Sequence, residues 1–99
     1  MLGEKLKELR EVRGLVQRQV AAELEVDTAY ISKMESNEKP VGRRHLKKLS
    51  LLLGVEEKEL LILWLADKVY DTVKNEEVAL KAMQVALDQV LKTENKKKS

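Results

Sequence analysis

The chain has 99 residues and a mass of 11.3 kDa, which is the size of one domain. Hydrophobic residues make up 43% of it, charged residues 36% and aromatic residues 3%. The absence of cysteine excludes disulfide bonds, thiolate zinc sites and thiol nucleophiles. The longest apolar run, 60–66, is far shorter than the ~20 residues of a membrane span. Residues 1–5 lack the apolar core of a signal peptide, so we expect a cytoplasmic, all-α protein without membrane contact.

The net charge of +2 conceals an uneven distribution along the chain. Residues 1–54 hold 11 Lys and Arg against 8 Asp and Glu, a net charge of +3. Residues 55–91 hold 4 Lys against 8 acidic residues, a net charge of −4, and residues 92–99 return to +3. Five cations lie within ten residues at Lys39, Arg43, Arg44, Lys47 and Lys48. Clustered positive charge of this kind, and not the total, is typical of proteins that bind nucleic acid.

Six segments show apolar residues at three- and four-residue spacing and are predicted amphipathic helices. They cover residues 3–13, 17–24, 28–36, 43–53, a fifth segment from 56 or 57 to about 73, and 76–91. Asp27 occupies a helix N-cap position, and Gly54 is a suitable helix terminator. The last residues, 92–99, contain no apolar side chain and are expected to form a disordered basic tail.

The second and third predicted helices have the proportions of a helix-turn-helix, because a three-residue turn separates them. The motif QRQVAAEL at 17–24, ISKME at 31–35 and the pair Lys39-Pro40 resemble the Xre/Cro, lambda-repressor-like helix-turn-helix family. The leucine pattern from Leu46 to Leu61 also matches the end of that family's domain, so the resemblance covers about residues 3–65. It implies a five-helix domain whose third helix enters the major groove of DNA.

The resemblance also implies which residues contact DNA. The residues expected to read bases, or to flank those that do, are Asp27, Thr28, Ala29, Tyr30, Ser32 and Lys33. A lysine can donate to guanine, and the methyl group of Ala or Thr can contact a thymine methyl group. The residues expected to contact phosphate are Gln17, Arg18, Ser36, Asn37, Lys39, Arg43 and Arg44.

Four positions depart from the family pattern, and two of them, Gly42 and Glu56, stand where Ser is common. Val16 stands where the family often has a Ser or Thr cap, so a capping bond worth ~1 kcal/mol is absent. Glu25 stands where the turn usually has Gly, and it either adopts a left-handed backbone or avoids one. Asp27 in the groove would repel phosphate or accept from cytosine, whereas as a plain N-cap it would do neither.

Simpler structural roles compete with each functional assignment. The helix pair itself can be an ordinary part of a small bundle. Tyr30 packs on the second helix or meets a phosphate, and Lys47 and Lys48 suit a solvated face. His45 is the only histidine, and the sequence offers it no pattern of catalytic or metal-ligating partners. This favours a packing role over catalysis or metal binding. With no cysteine and one histidine, we expect no enzymatic activity, metal, cofactor or small-molecule ligand.

The C-terminal third is unusually apolar. Residues 60–66 are apolar all round, and ten of the 14 residues of 78–91 are apolar, with Lys81, Gln84 and Asp88 forming a narrow polar stripe. The sixth helix could fold back over the fifth within one chain, but a 99-residue monomer has little core with which to cover both. We therefore expect a homodimer through Leu61, Trp64, Leu65, Leu80, Met83, Leu87 and Val90.

Together these features predict a DNA-binding domain at 1–65, a dimerisation extension at 66–91 and the tail at 92–99. The expected function is sequence-specific regulation of transcription by a homodimer on a palindromic operator, of the kind performed by phage repressors or restriction–modification controllers. The alternative is an antitoxin or another helical interaction protein that binds a partner through its last two helices.

Overall fold

The computed structural model describes the backbone of residues 1–98 and the side chains of residues 1–96. This part of the chain is helical and contains no β-strand. Within residues 1–98, six α-helices and one 3₁₀ turn follow one another: α1 Leu2–Val12, α2 Gln17–Leu24, α3 Thr28–Glu35, the 3₁₀ turn Arg43–His45, α4 Leu46–Leu53, α5 Glu57–Val73 and α6 Ala79–Lys98. The expected all-α fold class is confirmed.

The backbone divides into two compact units, one from Met1 to Lys68 and one that begins at Val69. The first unit contains the helix-turn-helix segment and the buried core. Its fully buried apolar side chains come from every helix up to α5 and from the loop after α3: Leu2, Leu6, Val20, Ala21, Leu24, Ile31, Met34, Val41, Leu46, Leu49, Leu53 and Leu60. These residues occupy the apolar positions of the predicted pattern, so the hydrophobic stripe of each short helix faces one shared core.

The first helix crosses the end of α3 at very close range. Gly3 is buried, and a Cβ atom at this position would lie only 2.5 Å from the Met34 carbonyl oxygen and 2.9 Å from that of Glu35. Any larger residue would therefore push the two backbones apart. Glycine is required here for close approach and not for its conformational freedom.

Helix α2 begins without the side-chain cap that this position usually has. Val16 has no polar side-chain atom, and the sequence prediction of a missing cap acceptor is confirmed. Gln19 supplies half of the capping interaction, because its Oε1 accepts from the Val16 backbone N–H at 2.8 Å. This bond satisfies one backbone N–H group at the start of the helix, that of Val16.

Helix α6 differs from the sequence expectation at both ends. It begins at Ala79 rather than at residue 76, and it continues through Lys98, whereas a disordered tail was expected from Lys92. Lys, Glu and Asn in this stretch can extend a helix that the preceding residues have nucleated, and no Gly or Pro interrupts it. Absence of apolar side chains therefore did not end the helix. Ser99 lies outside the described residues.

Candidate nucleic-acid interface

The turn between α2 and α3 is built by a left-handed residue. Glu25 has φ 57° and ψ 46°, which settles the alternative that the sequence left open. The reversal is closed by two hydrogen bonds, from the Val26 N–H to the Ala21 carbonyl at 3.0 Å and from the Glu25 N–H to the Ala22 carbonyl at 3.2 Å. This is a Schellman motif, in which glycine is preferred because it has no Cβ. Glu25 adopts that backbone at some cost in stability.

Helix α3 presents one buried and one exposed side. Ile31 and Met34 are buried in the core, and Glu35 is buried beside them. Five of the six residues predicted to read or flank bases are exposed: Asp27, Thr28, Ala29, Ser32 and Lys33. Asp27 occupies the N-cap position with an extended backbone, but its side chain forms no capping hydrogen bond. The exposed side of α3 is thus a short polar surface available to a partner.

Tyr30 is the exception among these six residues. Its side chain is half-buried. The hydroxyl donates to the Pro40 carbonyl oxygen at 3.3 Å and accepts from the Gly42 N–H at 3.4 Å, while the ring meets His45 edge-on with centroids 6.0 Å apart. The structure therefore places Tyr30 between α3 and the loop that follows it.

The loop after α3 is held against the C-terminal end of that helix. The Lys33 carbonyl oxygen accepts from the Glu38 N–H at 2.8 Å and from the Lys39 N–H at 3.2 Å. Asn37 has φ 65°, a left-handed conformation that asparagine tolerates. Its side-chain amide donates to the Glu4 carboxylate, which connects the loop to α1. These bonds hold the exposed Lys39 close to the end of the exposed α3 surface.

A buried charge network joins the first three helices behind this surface. Arg10 donates to Glu35 through Nε at 2.7 Å and through Nη2 at 3.1 Å, and its Nη1 donates to the Leu15 carbonyl oxygen at 2.8 Å. The side chains of Arg10 and Glu35 are only 12% and 6% exposed. This bidentate hydrogen bond raises the pKa of Arg10.

Gln17 belongs to the same network, although the sequence assigned it to phosphate. Its Nε2 donates to Glu35 Oε1 at 3.0 Å. A primary amide has two N–H groups, and this bond uses one of them. The second remains for another acceptor. Sequence reasoning missed Arg10 and Glu35 entirely, because 25 residues separate them and no local pattern connects an arginine in α1 to a glutamate at the end of α3.

Trp64 contacts the start of the basic segment, which is residues 41–48 and contains Arg43, Arg44, Lys47 and Lys48. Its indole Nε1 donates to the Val41 carbonyl oxygen at 2.6 Å. The Arg43 guanidinium lies 5.4 Å from the centroid of the indole ring, and the Lys68 ammonium lies 4.4 Å from it. Both are cation–π distances. Trp64, which is also one of the residues expected at a dimer interface, is half-buried against the core, where it orders the segment that carries Arg43.

His45 lies beneath the same segment and is buried. Its Nε2 has no hydrogen-bond partner among the described residues. Burial lowers the pKa of His45, and the positive charges of Arg44 and Lys48 lower it further. The neutral imidazole is therefore the form that fits the fold, which agrees with the packing role expected from the sequence. Within residues 1–98, no cluster of His, Asp or Glu is arranged to hold a metal ion.

The residues expected at a dimer interface differ in exposure. On α5, Leu61 is half-buried and packs on the core, whereas Leu65 is exposed. The four expected interface residues of α6 are all exposed: Leu80, Met83, Leu87 and Val90.

No helix of the described chain is long and apolar enough to cross a bilayer.

A comparison with protein-family models matches residues 3–69 to a family described as helix-turn-helix domain. The chain belongs to this family. The matched region covers all of α1–α4 except residue 2 and most of α5, and therefore includes every element described above as part of the candidate interface. Comparisons with curated proteins and with solved structures gave no significant match. In DNA-binding helix-turn-helix domains the second helix of the motif enters the major groove, and α3 is the corresponding helix of this chain. Such a domain is characteristic of DNA-binding regulators.

Proposed function

We propose that this helix-turn-helix protein is a transcriptional regulator of the Xre/Cro type, which binds a palindromic operator in double-stranded DNA as a homodimer. The observation that carries the proposal is the exposed side of α3, with Thr28, Ala29 and Lys33 free of the core. The loop that carries Lys39 is held at the C-terminal end of this helix. A helix of this size fits the major groove, and short side chains near its start can reach base edges.

Lys33 is the proposed main reader of bases. Among the described residues it forms no ion pair, so its ammonium is available to donate to guanine O6 or N7. The methyl groups of Thr28 and Ala29 would contact thymine, with Asp27 and Ser32 at the edges of the contact. Tyr30 would act indirectly and not by contact with a base, because its hydroxyl positions the loop at Pro40 and Gly42.

The phosphate contacts would surround this reading surface. Gln17 would use its second amide N–H, which Glu35 leaves unoccupied. Arg43 would reach the backbone from its place over the Trp64 ring. The remaining proposed phosphate contacts are exposed polar or cationic side chains: Arg18, Ser36, Asn37, Lys39 and Arg44.

Dimerisation would involve the segment at 66–91 together with Leu61, Trp64 and Leu65 of the domain at 1–65. The exposed apolar side chains of α6 support this assignment, because a monomer in water would leave them uncovered. A twofold dimer can place two copies of α3 in successive major grooves, roughly 34–36 Å apart. A restriction–modification controller or a phage-type repressor would have this organisation.

Replacement of Lys33 tests the assignment of the reading surface. Lys33→Ala should lower affinity for a selected operator and relax the base preference at one position per half-site, because a good base contact is worth ~1–3 kcal/mol of discrimination. Lys47→Ala removes the same charge from an exposed position of α4 and should leave base preference unchanged. Both variants are measured by electrophoretic mobility shift on the operator and on single-base variants of it. Unchanged base preference in Lys33→Ala would show that α3 does not read DNA as proposed.

The second candidate function is an antitoxin or interaction module that binds another protein through α5 and α6. The exposed apolar surface of α6 favours it as well, because such a surface can cover a different protein as readily as a second copy. This candidate predicts a chain that stays monomeric alone and binds DNA weakly. The regulator predicts a homodimer with specific DNA affinity, so the oligomeric state of the isolated chain separates the two.

A further inference from the structure

Two cationic side chains from distant parts of the chain share the ring of Trp64. The Arg43 guanidinium lies 5.4 Å from the ring centroid and the Lys68 ammonium 4.4 Å from it. The two charges are therefore no farther apart than about 10 Å, which is one Debye length at 0.1 M salt. Both side chains are exposed. Like charges held this close repel each other, and an anion that binds to both relieves the repulsion.

The ring between these two cations is held in place from two directions. Its Nε1 donates to the carbonyl oxygen of the buried Val41 at 2.6 Å. One turn of α5 beyond the ring, Asp67 accepts from the Leu2 backbone N–H at 2.9 Å, which fastens this part of α5 to the start of α1. Trp64 thus offers its cations a surface that is already ordered, and a ligand that binds to them loses less conformational entropy in doing so.

The segment 40–43 connects the two cations to the end of α3. Its backbone is bound on one side by the Tyr30 hydroxyl and on the other by the indole N–H. The exposed Lys39 precedes this segment, and four residues of extended chain span at most about 14 Å, so Lys39 lies within that distance of Arg43. Lys39, Arg43 and Lys68 therefore continue the exposed surface of α3 as a run of cations that ends on α5.

We propose that Arg43 and Lys68 together bind the phosphate backbone of DNA, so that α5 belongs to the interface. The proposal rests on the DNA-binding function proposed above and adds a contact that the sequence did not predict. Among the described residues Arg43 forms no ion pair, and a guanidinium over an aromatic ring keeps its N–H groups for a phosphate. Lys68 acts as a point charge. Continuity with Lys39 favours DNA over an isolated anion, because a DNA strand presents phosphates in a regular row.

Salt dependence of DNA binding by the full-length chain tests this site. Lys68→Met keeps an unbranched side chain on the ring but removes the charge, and should lower the log–log salt slope by ~0.9 for each bound copy. The loss of affinity between about 50 and 200 mM salt then becomes about threefold smaller per copy. Affinity should fall equally for a selected operator and for an unrelated duplex, because a phosphate contact carries no sequence information. Fluorescence anisotropy of a labelled duplex measures both, and circular dichroism verifies the fold.

Two further variants separate charge from structure. Lys68→Arg keeps the charge and should keep the wild-type salt slope. Lys58→Met removes the same charge from an exposed position about 15 Å away along α5 and should also leave the slope unchanged. A role of Lys68 in packing alone would alter thermal stability without lowering the slope.

Neutral phosphates in the duplex locate the contact. Methylphosphonate replaces one phosphate at a time, and at the phosphate bound by Lys68 it should weaken the wild type but not Lys68→Met, because that partner charge is already absent. Arg43→Met should lose sensitivity at the same phosphate or at the next one. A salt slope of Lys68→Met equal to that of Lys58→Met, or equal sensitivity of wild type and Lys68→Met at every phosphate, would overturn the shared site and leave DNA binding intact. A chain that binds no duplex would overturn both.

Discussion

At the scale of single residues, hydrogen bonds among polar side chains next to the core hold the first three helices together. Glu35 accepts from both Arg10 and Gln17, so that one carboxylate joins the first three helices. The bonds hold the end of α3 against α1 and the start of α2, which fixes the direction in which α3 presents its exposed side. No local sequence pattern predicts this network, because its members come from three helices and only the tertiary fold brings them together.

Replacement of Glu35 should destabilise the domain strongly. Glu35→Gln leaves the Arg10 guanidinium buried without a counter-charge, and loss of one partner of a buried pair costs about 3–5 kcal/mol. The free energy of unfolding is measured by urea denaturation. Glu8→Gln changes the same charge on the exposed part of α1 and should alter stability by less than about 0.5 kcal/mol. Equal small effects of the two substitutions would contradict the assigned role of Glu35.

The buried histidine makes stability dependent on pH. Burial holds the pKa of His45 below that of the unfolded chain, which is about 6.5. The unfolded state therefore binds a proton more readily, and the stability contributed by the neutral imidazole, full above about pH 6.5, is lost as pH falls toward the folded pKa. The drop in unfolding free energy between about pH 7.5 and about pH 5.5 should be smaller in His45→Gln than in wild type. An identical drop in both proteins would show that His45 does not titrate with unfolding.

At the scale of elements, the sequence predicted much of what the structure contains. The bounds of α2 and the end of α5 are as the hydrophobic periodicity indicated, because each apolar stripe faces the common core. The conformation of Glu25 stayed undecided, since a glutamate gives no local signal for a left-handed backbone. Helix α6 passed the expected end at residue 91, because helix propagation needs no apolar side chain once the helix has started.

The turn residue provides a pair of substitutions with opposite expected signs. Glu25→Gly should stabilise the protein by up to about 1 kcal/mol, because glycine adopts φ 57° without steric cost. Glu23→Gly introduces the same residue two positions earlier, within α2, and should destabilise by about 1 kcal/mol. Thermal unfolding followed by circular dichroism measures both. Destabilisation by Glu25→Gly would mean that the Glu25 side chain makes a contribution larger than its backbone strain.

At the scale of the whole molecule, the structural features described above are divided along the chain. The unit from Met1 to Lys68 contains the buried core, the exposed side of α3 and the basic segment, and nearly all of the region matched to the helix-turn-helix family. The second unit contains α6 with its uncovered apolar side. Residue types and spacing predicted the surface of α3, whereas the support behind it required the fold: Trp64 under Arg43, Tyr30 on the loop and Glu35 beneath Gln17.

Selection of binding sites from random DNA duplexes tests the central claim most directly, that the chain reads double-stranded DNA as a twofold dimer. The full-length protein should enrich one palindromic sequence, with half-site centres about one helical turn apart, roughly 34–36 Å. Affinity for the enriched site should fall steeply with salt, because each neutralised phosphate contributes ~0.9 to the log–log slope. Failure to enrich any sequence, or enrichment of single unpaired half-sites, would contradict the account.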